Sequence, residues 1–244
     1  MKWQGRAGSG NIQDRRGMGL GLPIGGGIGG LVLLLLFSAL TGTNPVDLIN
    51  STSPESGSVG TSGVPADDPQ AQFVSVVLAD TEQAWGEIFN QRGSAYQPPT
   101  LVLFTGSTQS ACGVGQSAMG PFYCPSDRQV YLDLSFFQDL DARFGAPGDF
   151  AQAYVVAHEV GHHVCNHLAS RSGSEPWKEI EADRTAGAIL ARSDWRNFFG
   201  NASREDYETV MRLTLSPVAS ATHPGIETRI AAFREGWTRG RGCN

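Results

Sequence analysis

The chain has 244 residues, of which 40% are hydrophobic and 17% are charged, and its formal net charge at pH 7 is -6. This acidic balance argues against a protein that binds nucleic acid through a broad basic surface. The length suits one domain with additional segments, or two small domains.

The charges are distributed unevenly along the chain. Asp14 is the only acidic residue before position 17, although that short stretch is rich in basic residues and the remainder of the chain is acidic. A basic start before an acidic body is typical of a membrane topology signal, because positive charge stays on the cytoplasmic side. We therefore expect residues 1–17 to be cytoplasmic. The basic residues are Lys2, Arg6, Arg15 and Arg16.

An uncharged segment follows at residues 17–46. Its apolar part, residues 23–40, approaches the roughly 20 residues that a membrane-spanning helix needs. We expect a transmembrane helix at residues 18–42, and hence a single-pass protein of the cytoplasmic membrane whose C-terminal domain lies outside the cytoplasm. A cleaved signal peptide is the alternative, but the preceding basic region is long and residues 38–41 form a poor cleavage site.

A stretch rich in Ser, Gly, Thr and Pro occupies residues 43–68. It has few large apolar side chains, so it cannot bury enough surface to offset its conformational entropy. We expect a disordered linker there, followed by one folded domain at residues 69–244.

The folded domain is predicted to be α+β, mostly helical with a small β-sheet. Apolar residues at helical spacing predict a first helix at residues 70–91. Two short apolar runs predict strands at 101–104 and 129–134, with a loop at 106–125 between them. Further helices are predicted at residues 135–144, 149–170, 176–191, 203–215 and 225–237.

All four cysteines lie after the apolar segment. An even number of cysteines in an oxidising compartment favours disulfide bonds, and four cysteines allow three pairings. Cys112 and Cys124 lie in one loop and would close a short ring. This leaves Cys165 to pair with Cys243, which would attach the C-terminal end to the central helix. The alternative, zinc held by thiolates, lacks the Cys-x-x-Cys spacing usual for such sites.

The sequence His158-Glu159-Val160-Gly161-His162 has the HExxH pattern. Residues four apart lie on one face of a helix, so both imidazoles can bind one Zn²⁺. Glu159 follows the first ligand and can act as a base on metal-bound water without coordinating the ion. A helix with surface histidines is the alternative, but apolar residues 154–157 precede the motif, where unpartnered histidines would be costly to bury.

A catalytic zinc needs a third protein ligand and one open position. The pattern HExxHxxGxxH is excluded because Cys165 and Leu168 occupy the positions of its glycine and its third histidine. Glu179 on the next helix is the candidate ligand, and Asp183, one turn later, can accept the other N–H of a ligand histidine. Glu175 is a rival candidate for the third ligand. The alternative for Glu179 and Asp183 is that they form an ordinary acidic helix face.

The other acidic residue of this helix, Glu181, lies on a different face and is expected to be solvated. Small residues on the same helix should let it approach the HExxH helix closely. These small residues are Ala182, Ala186 and Gly187.

Several further residues have two interpretations that the sequence leaves open. His223 either stabilises a developing oxyanion at the metal or belongs to a turn before a helix that Pro224 starts. Arg229 is expected to anchor the same segment on an acidic partner. His163 and His167, also four residues apart, could form a second metal site, although a surface or core-edge position is favoured.

Five runs of residues carry a family resemblance: SACG at 110–113, GPFYCP at 120–125, VYLDL at 130–134, HEVGHHV at 158–164 and EIEADRTAG at 179–187. Together they resemble the putative neutral zinc metallopeptidases of bacteria, which are typically short proteins with one N-terminal membrane helix. The resemblance spans roughly residues 70–243 and implies a zincin fold with a glutamate as third zinc ligand. It also implies that the strand at 130–134 lies beside the metal as an edge strand for an extended peptide.

Two positions depart from the pattern of that family. The family usually has glutamine where Cys165 stands and cysteine where Arg184 stands. The resemblance is therefore compatible with a second disulfide bond in which Cys243 pairs with Cys165 in this chain, instead of with a cysteine at position 184.

We expect a membrane-anchored zinc endopeptidase that holds one Zn²⁺ per chain and acts on peptides or proteins outside the cytoplasm. His158, His162 and Glu179 are the expected ligands, and Glu159 is the expected general base. The alternative is a catalytically silent, membrane-tethered protein that keeps the zincin shape for binding, although such a protein has no need of Glu159. A structural zinc site is disfavoured, because three ligands leave the ion open.

Overall fold

A computed structural model describes residues 3–16, 61–144, 148–168, 174–192, 203–215, 224–240 and 242–243. These residues form six α-helices, a five-stranded mixed sheet and a separate two-stranded hairpin. The predicted α+β class is confirmed for this part of the chain.

The helices lie within two residues of their predicted bounds. They are α1 (Pro69–Gln91), α2 (Ser135–Phe144), α3 (Asp149–Leu168), α4 (Glu175–Leu190), α5 (Arg204–Leu215) and α6 (Ile226–Arg239). The strands are β1 (Ile12–Asp14), β2 (Thr61–Ser62), β3 (Thr100–Phe104), β4 (Ser107–Ser110), β5 (Gly113–Gln116), β6 (Phe122–Cys124) and β7 (Gln129–Asp133).

The centre of the five-stranded sheet is formed by β3 and β7, in the strand order β2-β1-β3-β7-β6. β3 pairs in parallel with β1 and with β7, and β6 pairs antiparallel with β7. Alternate side chains of a strand point to opposite faces. Leu103 and Leu132 therefore face the main core with the helices, whereas Val102 and Tyr131 face a smaller cluster. Both faces are covered, which explains the continuous apolar runs of these strands.

The predicted loop at residues 106–125 contains three strands. β4 and β5 form the separate hairpin, and β6 joins the main sheet beside β7. The expectation that residues 130–134 form an edge strand is wrong, because β6 covers the outer side of β7 and is itself the edge among the described strands. Polar residues and glycine dominate β4 and β5, and such residues give little β signal in a sequence.

The N-terminal residues 3–16 belong to the same fold as the helices. Ile12 of β1 is 1% exposed within the main core, and the backbone N–H of Leu101 donates to the carbonyl of Asn11. Two basic side chains here, those of Arg6 and Arg16, bind carboxylates of the same fold, so they are part of its surface. These ion pairs are Arg6–Asp80, Arg16–Asp14 and Arg16–Asp68.

The predicted single-pass membrane architecture is wrong. Within the described ranges, no helix combines the length and the apolar character that a membrane crossing requires; the predicted span, residues 18–42, lies outside those ranges. β1 precedes this span and β2 follows it, yet the two strands pair antiparallel in one sheet. A single crossing between them would place paired strands on opposite sides of a membrane. The prediction of a cytoplasmic N-terminus with an extracytoplasmic domain is corrected with it.

The predicted disordered linker also needs correction at its C-terminal end. Residues 61–68 contain β2 and the N-cap of α1, where Asp68 Oδ1 accepts a hydrogen bond from the N–H of Ala71 at 2.9 Å. Residues 43–60 lie outside the described ranges.

Glycines let α4 pack directly against the backbones of α3 and α6. A Cβ atom on Gly161 of α3 would lie 2.8 Å from the carbonyl oxygen of Ala182 on α4. A Cβ atom on Gly236 of α6 would overlap the carbonyl oxygen of Arg184 on α4. The three helices therefore approach closely enough for their side chains to share one site.

The crossing of α4 and α6 should not accept an added methyl group. We expect Gly236→Ala to lower the free energy of unfolding by about 1–3 kcal/mol, because the two backbones would have to separate. Gly86→Ala is the matched control, since Gly86 lies in α1 with open space at its Cβ position; that alanine should stabilise by about 0.5–1 kcal/mol. Chemical denaturation measures both changes, and a Gly236→Ala protein as stable as wild type would contradict the close crossing.

Candidate metal centre

The candidate site is formed where α3 crosses α4. On α3, His158 and His162 are four residues apart and share one face of the helix. On α4, Glu179 and Asp183 have the same spacing. The close crossing turns these two faces toward each other, so the structure brings together the four residues that the sequence singles out.

Three possible ligand groups converge in the site. Nε2 of His158 lies 3.2 Å from Nε2 of His162. The two carboxylate oxygens of Glu179 lie 3.4 Å from His158 Nε2 and 3.3 Å from His162 Nε2. Two ligands of a tetrahedral zinc, each about 2.0–2.1 Å from the ion, lie about 3.3–3.4 Å apart. The donor set therefore fits zinc, and it is the one group of at least three metal-binding side chains found this close together among the described residues.

The electrostatic environment of His158 favours a cation. Burial opposes a charged imidazole there, but Asp183 and Glu179 outweigh it and raise the pKa of His158 to about 10. Burial also tends to raise the pKa of Glu179, but its contacts with His158 and His162 hold that pKa well below its usual range. A metal ion at Nε2 would take the place of the proton that this negative field attracts.

Asp183 lies directly beside the ring of His158. Its carboxylate is fully buried, and Oδ1 lies 2.9 Å from His158 Nδ1. Arg229 donates to both oxygens, from Nε at 2.6 Å and from Nη2 at 3.1 Å. Burial tends to raise the pKa of Asp183, but His158 and Arg229 hold it below its usual range. Asp183 is thus placed where the sequence predicts the partner of a ligand histidine, and Arg229 has an acidic partner.

Tyr154 belongs to this network, although the sequence interpretation did not identify it. Its hydroxyl donates to Asp183 Oδ1 at 2.5 Å, and its side chain is 1% exposed. The residue stands in an apolar run before the HExxH motif, where it is easily taken for a core side chain. Its position four residues before His158, on the same helix face, is the signal that would have identified it.

Glu159 lies on α3 directly after the first predicted ligand and is 8% exposed. Burial raises the pKa of its carboxyl above the usual range of glutamate, while His162 and His158 act in the opposite direction. Among the described residues, none forms a hydrogen bond or ion pair with this carboxylate. A carboxylate with these properties is suited to act as a general base.

The remaining candidates have different outcomes. His223 and the side chain of Glu175 lie outside the part of the chain that the structure describes, so their roles stay predictions. The expectation that Glu181 is solvated is wrong. Its side chain is 4% exposed and forms an ion pair with Arg184. α6 packs on this side of α4 and supplies Glu235 as a second partner for Arg184.

His163 and His167 occupy the edge of the core. His163 is 2% exposed, and its Nε2 lies 2.7 Å from the carbonyl oxygen of Gln97. A carbonyl only accepts, so Nε2 carries the proton and Nδ1 accepts from the hydroxyl of Tyr123 at 3.2 Å. His167 is exposed, with its ring against Phe89.

The neutral ring of His163 should make stability depend on pH. Burial lowers the pKa of His163 to about 4 from an ordinary value of 6.5. At a pH above the ordinary pKa, the ring is neutral in both the folded and the unfolded protein. As the pH falls toward the pKa of the folded protein, the unfolded chain takes up a proton first, and the folded protein loses stability relative to it. Between pH 7 and pH 4.5, we expect the free energy of unfolding of wild type to fall by about 2 kcal/mol more than that of His163→Gln. Chemical denaturation in the presence of a chelator measures this, and equal pH dependence would contradict a buried neutral ring.

Both predicted disulfide bonds are present. Cys112–Cys124 connects the β4–β5 hairpin to β6. Cys165–Cys243 attaches residue 243 to α3, three residues beyond His162. Oγ1 of Thr185 on α4 lies 2.9 Å from Cys243 Sγ, so the second bridge supports the α3–α4 pair that carries the site.

The chain matches a known protein family and several known proteins. The profile of a family described as "Putative neutral zinc metallopeptidase" matches residues 1–194. The chain is 48% identical over 174 residues to "Uncharacterized protein YpfJ" of Escherichia coli strain K12. This alignment covers 67% of this chain and 60% of that relative. It is 38% identical over 127 residues to "Uncharacterized protein Mb2605" of Mycobacterium bovis, which covers 48% of this chain and 43% of that relative.

The chain thus spans 60% or less of the length of these curated relatives. No solved structure matches it. The family profile covers more than half of the chain and includes the HExxH motif and Glu179. The chain therefore belongs to the family described as "Putative neutral zinc metallopeptidase".

Proposed function

We propose that the chain is a zinc-dependent endopeptidase in which His158, His162 and Glu179 hold one Zn²⁺ and Glu159 is the general base. The observation that carries this proposal is the set of ligand atoms 3.2–3.4 Å apart, with a buried carboxylate beside them. A structural zinc site would have four protein ligands, and the group found among the described residues has three.

Each residue of the site has a distinct role in this proposal. When bound, zinc supplies a polarised substrate carbonyl and a more acidic water. Glu159 takes a proton from the attacking water and later gives it to the departing amine, and its raised pKa suits both transfers. The carboxylate of Asp183 lies 2.9 Å from His158 Nδ1 and favours a proton on that nitrogen, which leaves the Nε2 lone pair for the ion.

The edge of the sheet supports a peptide as the substrate. β6 pairs with β7 on one side, and no other described strand pairs with its outer side. The strand lies beside α3, since the hydroxyl of Tyr123 contacts His163 and accepts from Asn166 Nδ2, each at 3.2 Å. An extended peptide can add to such an edge through main-chain hydrogen bonds.

Removal and return of zinc test the proposal. The purified full chain, loaded with one equivalent of zinc, is incubated with a mixture of unstructured peptides, and cleavage is followed by mass spectrometry. We expect cleavage within peptides, loss of cleavage when a chelator removes the metal, and recovery in proportion to added zinc up to one equivalent. Circular dichroism of the metal-free protein separates loss of activity from unfolding.

Zinc-loaded protein that cleaves no peptide in such a mixture would contradict the proposal. That result would favour the alternative, a protein that keeps the zincin shape for binding and cleaves nothing.

A further inference from the structure

Arg229 reaches the predicted zinc ligands as well as Asp183. It lies in the first turn of α6 and is 3% exposed. Its Nη2 lies 3.3 Å from Glu179 Oε2 and 3.4 Å from His158 Nε2. One buried guanidinium therefore contacts one predicted ligand carboxylate and the carboxylate that orients another ligand.

The charges of the site require a cation in addition to the metal. Three buried or half-buried carboxylates, those of Glu159, Glu179 and Asp183, lie at the predicted metal site or next to its ligands. Buried charges are costly unless they are paired. A divalent ion compensates two of these carboxylates, and the guanidinium of Arg229 compensates the remaining charge.

The fold holds this guanidinium in a fixed place. Gly236, two turns after Arg229 on α6, lies against the backbone of Arg184 on α4, with no room for a side chain between the helices. Nε and Nη2 both bind Asp183, which defines the plane of the guanidinium. Arg229 thus lies in a defined position relative to both carboxylates of α4.

We propose that Arg229 is a positioning residue of the metal centre, which holds the carboxylates of Glu179 and Asp183 side by side in the orientation that binds the ion. Carboxylates one helical turn apart repel each other, so without the cation between them Glu179 would turn away from the histidines. Lysine keeps the charge but cannot form the forked contact. The inference rests on the proposed function in that the site binds zinc. Arg229 lies beyond the residues that the family profile matches.

Zinc affinity is the first test, measured with the full chain by competition against a chromophoric chelator. We expect Arg229→Met to bind zinc about 10–100-fold more weakly than wild type, as is usual when the partner of a metal ligand is lost, and Arg229→Lys to fall between the two. Arg234→Met is the matched control. Arg234 lies on the same helix and also forks onto a buried carboxylate, that of Glu208, so its loss should affect stability but not zinc affinity.

A double-mutant cycle separates positioning from a general structural effect. Because Arg229 acts partly through Glu179, Arg229→Met should weaken zinc binding by a smaller factor in a Glu179→Gln background than in wild type. The absorption spectrum of the cobalt(II)-substituted protein should also change in Arg229→Met, because the ligand geometry changes, and should stay unchanged in Arg234→Met.

Two results would overturn the inference. Zinc affinity within about twofold of wild type in Arg229→Met would show that the guanidinium does not position the ligands, and tighter binding would show that it acts mainly as a competing cation. If circular dichroism shows that Arg229→Met is unfolded, the same criteria apply to Arg229→Lys. Because affinity is measured without hydrolysis, a wild type that binds zinc but cleaves nothing would contradict the proposed function and leave this inference standing.

Discussion

Replacing Glu159 by glutamine should reduce peptide hydrolysis by about 10²–10⁴-fold, the usual contribution of a general base. Glutamine keeps the size of the side chain but cannot accept the proton of the attacking water. The predicted ligands are His158, His162 and Glu179, so the substitution should leave zinc bound and the protein folded. Steady-state hydrolysis of a peptide that wild type cleaves measures the effect, together with zinc content by elemental analysis.

Glu87→Gln is the matched control for this substitution. Glu87 lies on α1 with an exposed side chain, paired with Arg192, and its replacement should leave hydrolysis unchanged. If Glu159→Gln cleaves peptides at the wild-type rate with a full complement of zinc, Glu159 is not the base.

Removing both histidines should abolish stoichiometric zinc binding. The variant carrying His158→Ala and His162→Ala keeps only Glu179 of the three converging ligand groups, and a single carboxylate does not form the usual zinc site. Zinc per chain is measured after dialysis against metal-free buffer. His167→Ala is the matched control, because His167 is an exposed histidine of the same helix and should not affect the zinc content.

Glu179→Gln tests the third ligand by itself. The amide keeps the shape of the side chain but is a much weaker metal ligand, so zinc affinity should fall. Unchanged affinity would move the third ligand to Glu175 or another residue. A full equivalent of zinc in the double histidine variant would place the metal elsewhere.

The helices and the pairing of histidines with acidic residues could be predicted because both depend on spacing along one element. Residues four apart share a helix face wherever the helix lies, so the HExxH motif and the pair Glu179 and Asp183 are visible in the sequence. Leu103 and Leu132 belong to apolar runs that are characteristic of buried strands. The pairing of Cys112 with Cys124 followed from their position in one loop, and the pairing of Cys165 with Cys243 was the one that remained.

What could not be predicted depends on contacts between distant parts of the chain. β1 is three residues long and lies next to basic residues, so no local signal distinguishes it from a solvated tail. The burial of Glu181 depends on where α6 packs. Tyr154 stands in an apolar run, and only the position of Asp183 gives its hydroxyl a partner.

The place of β1 in the sheet also determines the order in which the fold can form. Its parallel partner β3 is made roughly 90 residues later, and contacts between such distant residues slow folding because a large loop must close first. α1 can form as soon as it is made, whereas the side of β1 that pairs with β3 stays without its partner until β3 is available. Of the six described helices, only α1 precedes β3 in the chain, and the other five are made after both strands. The parallel pairing of β1 with β3 is therefore expected to follow the formation of α1.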